Sequence, residues 1–366
     1  MEIAIYDKQG VKVDILQNTT SIQWRRKYNE TGDFEIHAKG TEANIKLLTT
    51  ENRLVNQDTN EVGFITYVFP DVSSSGEEDI EVRGYLNNLD DRINPNTVTI
   101  TTVETGLYKL VNDNKRGLDI TTADAKGLSE KITDGIDTTW KTLRESFEAI
   151  CQATGLGFRM VRKDGKMNVI ELYKRGIVDT VKFSDELGNI VTQSYLDDIS
   201  SYKNYAYVAC QGKSEERLVY KVDVSNGGPI KELYVDARDL SWTYQDDKKV
   251  EHTYTAEQYK NNAIKRGMEK LEECAAIREF TADISSGDTL FVFRKDYDSH
   301  KENPNELLDS SKRDVIPVKS VKYGIAKRFR ISAINEIQED DGSSYKITLS
   351  NYDDELKKKN INTEEG

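Results

Sequence analysis

The chain has 366 residues, with 64 acidic against 51 basic side chains and a net charge of −13. That length allows two or more domains with a sizeable core, so no disulfide or metal staple is needed to hold the fold. The acidic excess argues against a protein whose main work is gripping nucleic acid, though not against one that nucleic acid slides past.

The N-terminal Met1-Glu-Ile-Ala-Ile lacks a basic stretch followed by an apolar run, so no signal peptide is expected. No segment approaches the roughly 18 apolar residues of a membrane span, and no stable membrane insertion is expected. The first ninety residues read as seven short strands: Ile3–Tyr6, Val11–Ile15, Ser21–Tyr28, Asp33–Ala38, Arg53–Asn56, Gly63–Val68 and Asp79–Tyr85. They alternate or are β-branched, and polar glycine-containing turns separate them, which points to a barrel or sandwich. In "WRRKYNETGDFEIHA" (24–38) the alternation places Trp24, Arg26 and Tyr28 on one face, with Arg25 and Lys27 on the other.

After Pro95 the period changes. Leu107, Leu110 and Val111 have helical spacing, and a helix over 138–154 would carry Trp140, Leu143, Phe147 and Ile150 on one apolar stripe, with Gly155 as its C-terminal cap. Gly157–Arg162 and Met167–Tyr173 flank Lys163-Asp-Gly-Lys as a hairpin, which makes a small α/β unit of 96–189. Strands resume at Asn204–Gln211 and Arg217–Val224. A long helix over Ala256–Ala276 presents Tyr259, Ala263, Ile264, Met268 and Leu271, and strands return at 279–284, 289–294, 315–321, 329–337 and 345–350.

Two stretches share one order of elements. "GDFEIHA", "NRLVNQ" and the hairpin from Gly63 to Tyr85 are matched by "REFTADI", "DVIPVKS" and the hairpin from Phe329 to Tyr352. Both hairpins turn through a Ser/Gly/acidic cluster and close on a tyrosine. A repeat of 32–85 in 278–352 would give one chain two similar barrels.

No catalytic constellation emerges. His37, His252 and His300 have no partner at metal or triad spacing, and each reads as a solvated side chain. Cys151 continues an apolar stripe, as a small core residue does. Cys151, Cys210 and Cys274 form no CxxC pair, so reduced thiols are expected rather than a disulfide framework or zinc site. Asp90, Asp91, Asn94 and Asn96 offer oxygen ligands but lack the glycine and closing glutamate of a calcium loop. Asp197-Asp198 is explained by chance adjacency in so acidic a chain. No cofactor or metal is expected.

The run "IAIYDKQG…TSIQWRRKYNETGDFEIHA" resembles the start of the tail-tip (baseplate) hub proteins of long-tailed phages of the siphovirus type. "ATGLGFRM" (153–160), "YKNYAYVACQGKSEERLVYKVDV" (202–224) and "KELYVDARDL" (231–240) follow in the family's order, and "FVFRKDYD" then "YGIAKRFRISAINEI" fit its C-terminal part. The chain departs from the pattern at 299–313, where "SHKENPNELLDSS" replaces a short link.

The resemblance implies a mainly β fold with an α/β insertion: two tail-tube-like β-barrels per chain plus a small α/β domain and a connecting helix. Residues 1–95 would form the first barrel, with 190–225 available to complete it. Residues 96–189 would be the insertion, 226–276 a connector with the long helix, 277–352 the second barrel and 353–366 a flexible tail. It further implies a non-enzymatic structural hub, a homotrimer at the virion tail tip, assembled in the host cytoplasm, in a phage or a tail-like bacteriocin. Its partners would be the distal tail ring protein, the tape-measure protein and receptor-binding or spike proteins, and DNA would pass through without specific binding. Trp24, Arg25, Arg26 and Tyr28 would serve subunit contacts, since interface cores favour arginine and aromatics. The competing classes are a tail-associated cell-wall hydrolase, for which the sequence up to Gly366 offers no catalytic domain, and a receptor- or carbohydrate-binding tail protein.

Overall fold

The computed structural model describes residues 1–72, 76, 78–174, 183–213, 217–245, 250–284, 315–339 and 342–351. They divide into two compact units, Met1–Ser194 with Phe280–Gly366, and Tyr195–Glu279. The expected strand at 289–294, the insert at 299–313 and the tail at 353–366 lie outside the described residues.

The first unit opens with β1 (Ile3–Tyr6), β2 (Lys12–Ile15), β3 (Thr19–Lys27), β4 (Asp33–Lys39), the short helix α1 (Glu42–Leu47), β5 (Arg53–Asn56), β6 (Val62–Val72) and β7 (Glu78–Tyr85). An insertion follows: β8 (Thr99–Thr102), α2 (Val103–Asn114), β9 (Thr121–Thr122), β10 (Lys131–Asp137), α3 (Leu143–Thr154), β11 (Gly157–Lys163) and β12 (Lys166–Tyr173). Next come β13 (Phe183–Ser184) and β14 (Ile190–Asp198). The second unit holds β15 (Tyr205–Ala209), β16 (Val219–Asp223), β17 (Glu232–Asp236), β18 (Thr243–Gln245), β19 (Glu251–Thr253) and α4 (Ala256–Glu273). The chain ends through β20 (Ile277–Ile284), β21 (Val315–Ser320), β22 (Ile325–Glu339) and β23 (Gly342–Asn351).

Most strands of the first unit join one 13-stranded sheet. One half runs β3-β4-β7-β6-β5-β1 and the other β14-β20-β23-β22-β21-β13, so each repeats the same connectivity. The likeness stops at the far end, where β1 pairs β5 antiparallel but β13 pairs β21 parallel. Antiparallel pairing of β22 with β3 joins the halves. Ile3 of β1 and Ile22 of β3 share one core with Trp24, Phe34, Ile36, Leu54, Ile65, Ile80 and Val82. In a flat sheet, five strand steps would separate β1 from β3 by about 24 Å. A common core therefore means that this half curls over its own inner face. Hydrogen bonding does not complete the curl, because no ladder among the described residues closes a ring as two finished barrels would require.

Alternation sends the other residues of the same strands to the opposite face. Ala4, Tyr6, Val55, Val62 and Phe64 pack with Leu107, Leu110, Phe147, Ile150, Phe158 and Ile170 of the insertion. One departure from the sequence reading lies here. Trp140 is 72% exposed and precedes α3 with φ +59°, while Leu143, Phe147 and Ile150 are fully buried. Thr142 and Glu145 form a capping box that starts the helix at Leu143, three residues too late for Trp140 to join its stripe. Gly155 caps the C-terminus in the left-handed region, φ +69°.

In the second unit β15 pairs β16 antiparallel and β17 parallel. Tyr205–Ala209 and Val219–Asp223 therefore belong to this three-stranded sheet and do not extend the first half of the large one. Tyr259, Ala263 and Leu271 of α4 share its core with Ala206, Val208 and Val222. A Cβ on Gly267 would come within 2.6 Å of Val208 and 2.7 Å of Val222, so glycine lets the helix lie close to the strands.

Candidate functional site

The stretch 24–38 becomes β3, a turn and β4, and β3 is also the strand that meets β22. Trp24 and Tyr28 are fully buried and Arg26 is 3% exposed. Trp24 stacks on Phe34 with ring centroids 5.3 Å apart. Gly63 makes room for that stack, since a Cβ there would meet Phe34 at 2.8 Å and Trp24 at 2.9 Å. The indole Nε1–H of Trp24 donates to Glu61 Oε2 at 3.2 Å, Thr59 Oγ1 donates to the same oxygen at 3.1 Å, and Arg26 Nε lies 3.7 Å from it. The arginine charge is thus matched inside the chain by a carboxylate 35 positions away. The adjacent cavity of about 10 Å³ has room for about one water and none for a substrate.

Tyr28 ties the large sheet to the insertion. Its hydroxyl donates to the Gly155 carbonyl at 2.9 Å, and its carbonyl accepts from Phe158 N–H at 3.2 Å. The ring packs edge-on against Tyr173 at 5.5 Å, with the Arg330 guanidinium over it at 5.4 Å. A Cβ on Gly157 would meet both tyrosine rings at 2.6 Å, which explains the second glycine of "TGLGF". Nearby, Thr31 N–H donates to Glu148 Oε1 at 2.9 Å. Of the four residues expected at subunit contacts, Trp24, Arg26 and Tyr28 pack within one chain, and Arg25 keeps a partly exposed side chain paired with Asp33. Lys27, on the same face as Arg25, lies 3.6 Å from Asp33 and 3.9 Å from Glu30.

On the outward face of β4 and β7, Glu35, His37 and Glu81 bring ligand atoms within 4.8 Å of one another. His37 Nε2 contacts Glu35 at 3.2 Å and Nδ1 contacts Asp79 at 3.4 Å, while Arg83 pairs with both Glu81 and Glu35. Partial burial lowers the imidazole pKa, but hydrogen bonds and charge from Glu35 and Asp79 outweigh it and raise it above 6.5. These donors are engaged with one another, so the group is a cross-strand ion-pair ladder.

Several other candidate ligands have structural partners as well. Asn94 is fully buried and its side-chain amide donates to the Asn96 carbonyl at 2.9 Å and to Thr138 Oγ1 at 3.0 Å. Asp90 pairs with Arg144 at 2.6 Å, and Asp197 with Arg278 at 3.2 Å. His252 stacks on Tyr244 at 5.3 Å, and His300 lies outside the described residues. Cys151 is fully buried, and burial pushes its thiol pKa up, away from a reactive thiolate. Among the described residues no helix is long and apolar enough to cross a membrane.

One strand edge carries apolar side chains at the surface. β6 leaves β5 after Phe64 and runs on with Tyr67 and Phe69 stacked at 6.3 Å, and Arg83 sits over the Tyr67 ring at 5.3 Å. No residue pattern marks this edge, because which strands lie uncovered is a property of the pairing order.

The same fold occurs in the 43 kDa tail protein of prophage MuSo2 from Shewanella oneidensis. It is 13% identical, with a TM-score of 0.59 over 96% of this chain and 99% of that one. A tail protein from Neisseria meningitidis MC58 is 12% identical, with a TM-score of 0.57 over 96% of each chain. No curated protein matches the sequence. Over residues 2–350 the sequence fits the family described as Siphovirus ReqiPepy6 Gp37-like protein, and the chain belongs to that phage tail protein family.

Proposed function

We propose that this chain is the structural hub of the tail tip of a phage or phage-tail-like particle. It would close the distal end of the tail tube as a trimer and dock the tube-side ring, the tape-measure protein and host-binding components. The observation that carries this reading is the repeated connectivity of the large sheet, β4-β7-β6-β5 in one half and β20-β23-β22-β21 in the other. Two like halves in each of three copies offer six like surfaces, the number a six-fold tube presents. Each half would then be one tube-like barrel wall, completed at its neighbours rather than within itself.

In this reading the protein works without catalysis. Trp24, Arg26, His37, Asp90, Asn94, Cys151 and Asp197 each already serve a hydrogen bond, an ion pair or the core, and the hub's task is geometric. DNA leaving the tail would pass along an acidic or neutral wall, which repels phosphate at short range and leaves the passage slippery.

Electron microscopy of the purified chain and of intact tails tests the proposal. A three-fold ring in isolation, and antibody label at the distal tip of the tail, are the expected outcomes. A monomeric or dimeric component, or label along the tail shaft, would overturn it. A zymogram on purified cell wall should show no clearing.

A further inference from the structure

The two halves of the large sheet agree down to individual registers. Val62–Phe64 of β6 pairs with β5, and Arg328–Arg330 of β22 pairs with β21 in the same order. Each long strand then carries one extra residue, Thr66 in β6 and Ser332 in β22. Both bulge hydroxyls donate to the hairpin partner: Thr66 Oγ1 to the Arg83 carbonyl at 3.4 Å and Ser332 Oγ to the Thr348 carbonyl at 3.0 Å. Arg83 and Thr348 are themselves equivalent, being paired with Tyr67 and Ala333. Beyond the bulge the likeness breaks. Ala333–Glu339 is covered by β3, whereas Tyr67–Val72 has no strand on that edge among the described residues. The strand holding β3's place in the other half, beside β20 as β3 lies beside β4, is β14, and among the described residues no strand pairs with its outer edge either.

We infer that β6 beyond its bulge docks β14 of a second copy of this chain, reproducing between copies the joint that β22 and β3 make within one. The inference rests on the trimeric reading above and supplies the contact it needs. Three copies then close a ring through six like joints, three within chains and three between them, in a head-to-tail arrangement. The surface suits such a joint. Tyr67, Phe69 and Val72 are 42, 49 and 64% exposed, and Val191 of β14 is 67% exposed.

The register also says which backbone groups take part. Tyr28 N–H donates to the Ser332 carbonyl at 2.9 Å, so Ser332, Ile334 and Glu336 turn their amides toward β3. Their counterparts on β6 are Thr66, Val68 and Pro70. Pro70 has no N–H, so the docked ladder uses Thr66 and Val68 and loses a donor two residues on. A proline there admits a matched strand over a short span and discourages open-ended edge pairing.

The test is the mass of the full chain by light scattering with Val68→Pro. Val68 turns its amide away from β7, so the substitution removes a donor from the joint and none from the hairpin, as Pro70 already does. The wild-type chain should be a trimer and Val68→Pro a monomer, a threefold loss of mass with unchanged far-ultraviolet circular dichroism. Val68→Ala, which keeps the amide, should remain trimeric. A folded Val68→Pro chain that stays trimeric overturns the joint while leaving the hub reading intact. A wild-type monomer or dimer overturns the trimer itself. Should Val68→Pro not fold, oxidation of Val68→Cys combined with Val191→Cys or with Gln193→Cys decides. Disulfide-linked species up to the trimer support the joint, and their absence from both pairs overturns it.

Discussion

At the scale of single residues, Glu171 shows what burial demands of a charge. It is 3% exposed, with Arg159 Nε at 2.7 Å and Lys126 Nζ at 3.2 Å. Burial alone would push its pKa up, but the two cations hold it at about 2. A carboxyl depressed in the fold stabilises fully above its ordinary value near 4.5, and that contribution is lost as pH falls toward 2. Glu171→Gln should therefore destabilise by about 3–5 kcal/mol at pH 7, the usual result of orphaning a buried partner. Denaturant titrations should show the gap between wild type and variant narrowing below pH 4.5. A gap that ignores pH would assign the loss to packing. Two aromatics of the insertion give a second contrast. Phe147→Ala should cost about 3–5 kcal/mol as a truncated core ring. Trp140→Ala, at an exposed position, should stay within about 0.5 kcal/mol in the same assay.

At the scale of elements, the strands were legible because alternation at period two survives in a half-buried sheet, and β3, β4 and β7 all carry it. The split of Arg26 from Arg25 and Lys27 could be read the same way. What the arginine does inside could not, since Glu61 and the Gly63 that makes room beside Trp24 reach it through long-range pairing. The helix α3 was misread at its start because Trp140 continues the spacing of Leu143, Phe147 and Ile150. The Thr142-x-x-Glu145 signature was present and marks the true beginning. Thr142→Ala should destabilise by about 1 kcal/mol, the typical worth of such a cap, as measured by thermal unfolding. No change would mean that the helix end is held by Asn94 and its neighbours instead. The six-residue helix α1 escaped notice because it is too short to show a periodic stripe.

At the scale of the whole molecule, net charge and placement of charge give one prediction between them. The chain carries −13, and the cations of the opening hairpin are either buried with Glu61 or paired with Asp33 and Glu30. Fluorescence anisotropy with duplex DNA at physiological salt should show no measurable binding. Micromolar affinity that falls steeply with added salt, and disappears in Arg25→Ser with Lys27→Ser, would overturn the placement of those side chains at protein contacts. The repeat was readable as an order of elements long before it was readable as a joint. Identity between the halves is nearly nil, and only the shared bulge and pairing register reveal which edge answers to which.

The pairing of β3 with β22 also sets a clock. Arg26 lies opposite Ile334, so the seam waits for a partner some three hundred residues downstream. At about 5–20 residues per second, a growing chain holds β3 uncovered for roughly 15–60 seconds after that strand emerges. Closing so long a loop adds an entropic delay, though a slowly growing one. During that interval β3 of one nascent chain and β22 of another are as well matched as the pair within a single chain. Neighbouring ribosomes on one message therefore bring together partners able to exchange halves, and the order of synthesis bears on whether each chain closes its own seam.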